Sequence, residues 1–112
     1  MKVTRGRFLK MAAAALAALP ARFRRLASGV EIGVQAKPGL EAGRWAGSSS
    51  LLGLYVGAGQ PKTPGRIILY QSNLSRLCSD EAALAREISV TLRHELGHHF
   101  GLGDARLREL GH

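Results

Sequence analysis

Cysteine, aromatic residues and acidic residues are all scarce in this chain of 112 residues. Its one cysteine, Cys78, excludes an internal disulfide and a metal site built from several thiolates, and it favours a reducing, cytoplasmic compartment. We interpret Cys78 as an ordinary buried thiol. No apolar run reaches the ~18–20 residues of a membrane span, so we predict no membrane-spanning helix.

Basic residues outnumber acidic ones, 16 against 8, and the formal net charge is +8. Such an excess suits RNA, DNA or acidic lipid. The basic residues are scattered along the chain, and aromatic residues make up only 5% of it, without the alternation of aromatic and basic side chains that a stacking platform needs. We therefore interpret the basic residues primarily as solvated side chains on helix faces, and we keep nucleic-acid binding as a secondary prediction.

Length predicts a single domain over residues 1–112. Residues 5–19 have two interpretations. Basic residues followed by an alanine-rich run resemble a secretion signal. Apolar residues such as Phe8, Met11 and Ala12 also recur at helical spacing until Pro20. We favour the second interpretation, an amphipathic first helix.

The rest of the chain alternates short elements with loops. Apolar patterning predicts a short helix over 21–27, strands over 30–36, 51–58 and 66–71, and a long helix over 80–100. Ser79 is the expected N-cap of that long helix. Trp45, inside a loop over 37–50, is expected to anchor that loop by packing.

The clearest signal is a motif near the end of the long helix, H-E-x-x-H-x-x-G-x-x-D over 94–104. His94 and His98 are four residues apart and therefore share one helix face, so both can reach one metal ion. Gly101 lets the chain leave the helix, and Asp104 can return as an oxygen ligand. Three protein ligands with an open position are typical of a catalytic zinc site, with one ion per chain.

Glu95 follows the first histidine and suits a general base acting on metal-bound water. It would take a proton from the water that attacks a carbonyl and pass it to the leaving amine. Two histidines and one carboxylate also form the facial triad of non-haem iron oxygenases. The interposed glutamate favours zinc, so the motif predicts a zinc-dependent hydrolase.

With this motif, a break at Leu19-Pro20 and the strand patterns, the chain resembles the bacterial minimal zincin-like metallopeptidase family. The resemblance implies an α+β fold in which a short mixed β-sheet packs against the motif helix. It implies a peptidase with His94, His98 and Asp104 as metal ligands and Glu95 as base. By analogy, a peptide or protein substrate would add as another strand at residues 66–71.

Two other functions stay open. The spacing H-x3-H-x5-D parallels the H-x3-H-x5-H of the bacterial rRNA-maturation endoribonucleases, and the basic charge suits RNA. That family lacks the glutamate after its first histidine, whereas this chain has Glu95. The third function is a non-catalytic, metal-stabilised binding or regulatory module.

Overall fold

The computed structural model describes residues 2–57 and 65–99, and of residues 26, 98 and 99 it describes the backbone alone. The protein is α+β, as predicted, with helices around a small mixed sheet. In chain order the elements are α1 (Arg5–Ala17), α2 (Ala21–Leu26), β1 (Glu31–Gln35), a 3-10 helix (Leu40–Trp45), β2 (Gly53–Val56), β3 (Arg66–Tyr70), α3 (Gln71–Arg76) and α4 (Glu81–His99).

β3 is the central strand of the sheet, whose order is β1-β3-β2. It runs parallel to β1, with Ile67 opposite Ile32, and antiparallel to β2, with Ile67 opposite Tyr55. Its residues from Ile67 to Tyr70 are buried, as expected of a strand covered on both faces. The expected strand addition at residues 66–71 is therefore wrong, because both hydrogen-bonding edges of β3 are already paired. Among the described strands, the outer edges belong to β1 and β2.

The hydrophobic core lies between the sheet and the helices. The fully buried residues of α4 are spaced four apart and form one stripe, which packs toward α1, β2 and β3. They are Leu84, Ile88, Leu92 and Leu96. α1 contributes Phe8, Met11 and Ala12 to the same core, which confirms the amphipathic first helix. No helix within the described ranges is long and apolar enough to cross a membrane.

α4 begins one residue later than the sequence predicts. Asp80, not Ser79, caps it: Asp80 Oδ1 accepts a hydrogen bond from the backbone N–H of Ala83 at 2.8 Å. A carboxylate at this position also interacts favourably with the positive end of the helix dipole. The first turns of α1 and α4 are joined by an ion pair between Arg7 and Glu81, with 2.6 Å between Nη2 and Oε1.

The loop between β1 and β2 is held by polar contacts rather than by its tryptophan. Trp45 is 48% exposed, with the Arg44 guanidinium 5.1 Å from its ring centroid, so the expected packing anchor is wrong. Asn73 holds the loop instead. Its buried side-chain amide donates to the backbone oxygens of Ser48 at 2.9 Å and Leu51 at 2.7 Å.

Gly53 allows β2 to lie directly against α4. A Cβ atom at this position would be 2.6 Å from Cγ2 of Thr91 and 3.3 Å from the backbone oxygen of Ile68. Real Cβ atoms do not approach other atoms as closely as the first of these distances. The missing side chain thus fixes how near the sheet can come to the helix that carries the motif.

Candidate metal centre

The last turns of α4 carry the first two residues of the motif. Leu92 and Leu96 are fully buried on the helix stripe, which fixes the rotation of the helix about its axis. His94 and Glu95 lie between them in sequence and are half-buried. The helix therefore presents these two polar side chains at the border of the core, where they are partly shielded and still reachable from solvent.

The other two predicted ligands are less fully described. His98 lies in α4, four residues after His94, but its side chain is outside the described part of the structure. Asp104 lies outside the described residues altogether. Among the residues that the structure does describe, no three His, Cys, Asp or Glu side chains form a group that could hold a metal ion. The complete ligand set remains a prediction.

The donor chemistry of the motif fits zinc. α4 continues without a break from Glu81 to His99, so positions 94 and 98 share one face, one turn apart. Imidazole nitrogens from these positions and a carboxylate oxygen from Asp104 are the donor types that zinc takes in proteins. The motif requires an unbroken helix through both histidine positions, and α4 meets this requirement.

A polar network that the sequence did not reveal lies at the end of the central strand. Tyr70 is the last residue of β3 and is fully buried. Its hydroxyl donates a hydrogen bond to Oε2 of Glu41 at 2.9 Å. Burial strongly raises the pKa of Tyr70, and the hydrogen bond and charge of Glu41 and the charge of Glu95 raise it further. The carboxylate of Glu95 is therefore close enough to this strand end to influence it.

Glu41 accepts hydrogen bonds from three directions. The backbone N–H of Gly39 lies 2.7 Å from its Oε2, Tyr70 donates to the same oxygen, and the side-chain amide of Gln35 lies 3.5 Å from its Oε1. The Gly39 bond is the main reason that the pKa of Glu41 is lowered, and it outweighs burial, which acts in the opposite direction. Glu41 thus stays ionised and ties the 3-10 helix to β1 and β3.

One signal could have pointed to this network. A tyrosine that ends a strongly apolar strand needs a hydrogen-bond partner for its hydroxyl when it is buried. The partner could not be identified from the pattern, because Glu41 lies in a segment read as loop.

Cys78 is buried within the hydrophobic core cluster. Burial is the main cause of its raised pKa, and the nearby charge of Glu87 acts in the same direction. A thiol with a raised pKa stays protonated at neutral pH and is a poor nucleophile and metal ligand. The prediction of an ordinary buried thiol is confirmed.

Comparison with known proteins gives a family match and similarity to a solved structure. Residues 27–112 match a family described as zincin-like metallopeptidase. A solved structure of a conserved hypothetical protein from Thermo thermophilus is similar, with a TM-score of 0.60 and 25% sequence identity. The match covers 87% of this chain and 94% of that one. No curated protein matches the sequence.

Proposed function

Since the chain belongs to the zincin-like metallopeptidase family, we propose that it is a zinc-dependent peptidase. In this proposal His94, His98 and Asp104 hold one zinc ion, and Glu95 is the general base. The observation that carries the proposal is the position of Glu95. It is half-buried beside His94 on a helix that the core fixes in rotation.

The chemistry of the proposal divides between the ion and the protein. A bound zinc ion would supply Lewis-acid chemistry, which would lower the pKa of the attacking water to about 7 and polarise the carbonyl of the peptide bond. Glu95 accepts the proton of the attacking water and delivers it to the leaving amine nitrogen.

The outer edge of β2 is our proposed place for a peptide substrate. α4 packs against β2, and among the described strands the outer edge of β2 has no partner. A peptide in extended conformation could add there as a further strand, using backbone hydrogen bonds. This position replaces the one inferred by analogy at residues 66–71. The single, buried thiol of Cys78 leads us to propose a cytoplasmic location.

Zinc content measured by mass spectrometry tests the metal centre. We expect about one zinc per chain in the wild type and much less in His98→Ala, because loss of one of three protein ligands weakens zinc binding strongly. His99→Ala is the matched control, since it removes the neighbouring imidazole from the same helix and should leave zinc in place. Absence of zinc from the wild type, even after zinc is supplied, would contradict the proposal.

Glu95→Gln tests the chemistry separately from the metal. It should retain zinc and the wild-type stability, but hydrolyse a mixture of unstructured peptides about 10²–10⁴-fold more slowly, because the amide cannot act as a base. A variant that keeps its zinc and hydrolyses as fast as the wild type would rule out Glu95 as the base. Zinc without hydrolysis in the wild type would instead favour a metal-stabilised binding module.

A further inference from the structure

The surface between α1 and α4 contains a long apolar groove, and neither His94 nor Glu95 is among the described residues that line it. Its volume is about 690 Å³, and the described residues that line it all belong to α4, to α1 or to the residue that follows α1. Most of its apolar lining residues are small. The apolar lining residues are Met11, Ala14, Ala15, Ala18, Ala82, Ala85 and Val90.

Each of the two helices contributes one regular stripe of residues to the groove. On α1 the lining positions from Arg7 to Ala18 follow one another in alternating steps of three residues and one residue. The lining positions from Ala82 to Arg93 on α4 follow the same pattern. Spacings of three and four mark a single face of a helix. Each stripe covers about three turns, or roughly 17 Å. The small alanine side chains let the backbone of a third helix approach closely. The axes of packed helices lie about 8–10 Å apart.

Most of the charged side chains along the groove are positively charged. Within the described part of the chain, the groove is lined by Arg7, Lys10, Arg86 and Arg93 and by one carboxylate, that of Glu81, which is paired with Arg7. An occupant with acidic groups beside an apolar face would therefore complement both the charge and the lining. A second copy of the chain would bring the same cationic face against this one, so self-association here is disfavoured by like charges.

We propose that the α1–α4 groove is a docking site for an acidic, amphipathic helix of a partner protein. The apolar face of such a helix lies on the alanines, and its acidic flanks face the basic side chains. A compact small molecule fits less well, because small-molecule sites enclose most of their ligand, whereas the described lining of this groove consists of one stripe from each of two helices. Docking here does not depend on the peptidase activity proposed above.

Fluorescence anisotropy with a labelled synthetic helix tests the site on the full chain. The probe is an 18-residue peptide with leucine at the spacing i, i+3, i+4, i+7 and glutamate on the flanks. A second peptide carries lysine in place of glutamate. We expect the glutamate peptide to bind at least about tenfold more tightly than the lysine peptide, and its affinity to fall as salt is raised.

Paired variants locate the binding. Ala85→Trp fills the groove and should weaken binding about tenfold or more, whereas Ala13→Trp, on an exposed position of α1 outside the groove, should not. The double variant Lys10→Glu/Arg86→Glu should lose binding, whereas Arg22→Glu/Arg24→Glu, with the same charge change on α2, should retain most of it. Circular dichroism and thermal unfolding check that each variant folds.

Several results would overturn the proposal. They are no binding of the glutamate peptide, equal binding of both peptides, and equal effects of Ala85→Trp and Ala13→Trp. Sedimentation that shows a wild-type dimer, converted to a monomer by Ala85→Trp, would assign the groove to a second copy instead. Because the readout is binding, an inactive peptidase would leave the result unaffected.

Discussion

The buried stripe of α4 and the polar residues in the final turns of the same helix differ in burial and in their contribution to the core. From Leu84 to Leu96 the stripe residues are fully buried against the sheet and α1. His94 and Glu95, on the same helix, are half-buried polar residues that contribute little to the core. The difference shows how one helix can provide stability on one face and carry polar side chains at one end, since the packed face holds the polar end in a fixed orientation.

The largest effect on stability should come from the stripe. Ile88→Ala removes a fully buried side chain from the core and should lower the free energy of unfolding by about 2–5 kcal/mol. Arg86→Ala, at an exposed position of the same helix, should change it by less than about 0.5 kcal/mol. Urea unfolding followed by circular dichroism measures both. If Glu95→Gln were as destabilising as Ile88→Ala, the distinction between the stripe and the polar residues at the end of α4 would be wrong.

A smaller effect is expected where the sheet meets the stripe. Gly53→Ala places a Cβ against Thr91 and should cost about 1–3 kcal/mol of stability through overpacking. Thr91→Ser removes the methyl group concerned and should recover part of that loss in the double variant, because the contact with the Ile68 oxygen remains. Gly57→Ala is the control, since its Cβ would lie 3.5 Å from the nearest atom. Additive effects in the double variant would show that the contact with Thr91 is not the cause.

The Glu41 network should make stability depend on pH on the acid side. Because the pKa of Glu41 is lowered below 4.5 in the folded state, the unfolded state binds more protons and stability rises with pH through this range. At pH 7 we expect Glu41→Gln to be less stable than the wild type by about 1–2 kcal/mol. This difference should shrink as the pH falls below about 4.5 through the folded-state pKa. A constant difference between pH 7 and pH 3, measured by urea unfolding, would argue against the assignment.

The smallest effect concerns the start of α4. Asp80→Ala removes the capping hydrogen bond to Ala83 and should cost about 1 kcal/mol. Ser79→Ala should be nearly neutral, because the structure gives the capping role to Asp80. Thermal unfolding of the two variants side by side distinguishes them. The reverse order would restore Ser79 as the cap.

The long helix and its motif were predictable because periodicity extends over nineteen residues of α4, and long periodic segments average out local exceptions. The three strands were found at nearly the correct positions for a related reason, since β-branched and aromatic residues cluster there. Sheet order was not predictable. Nothing in the apolar pattern of residues 66–70 distinguishes a central strand from an edge strand, and the analogy chose wrongly.

The exposure of Trp45 and the contact between Glu41 and Tyr70 were not predicted, for two different reasons. Trp45 was expected inside because large aromatic residues usually pack, yet Arg44 and solvent cover it. Glu41 and Tyr70 were overlooked because their pairing joins residues 29 positions apart, which no local pattern encodes. The residues of the motif are visible in the sequence, whereas the network around Glu41 depends on tertiary structure.

The sheet order has a consequence for how the chain folds as it is made. β1 and β2 each pair with β3 and not with each other, although both precede it in sequence. Chains emerge from the ribosome N-terminus first, so two strands are synthesised before the strand that joins them exists. Pairing Glu31 with Arg66 then requires closure of a loop of about 35 residues, which slows folding. Until Tyr70 has emerged, the apolar side chains of the first two strands depend on other means of protection from aggregation.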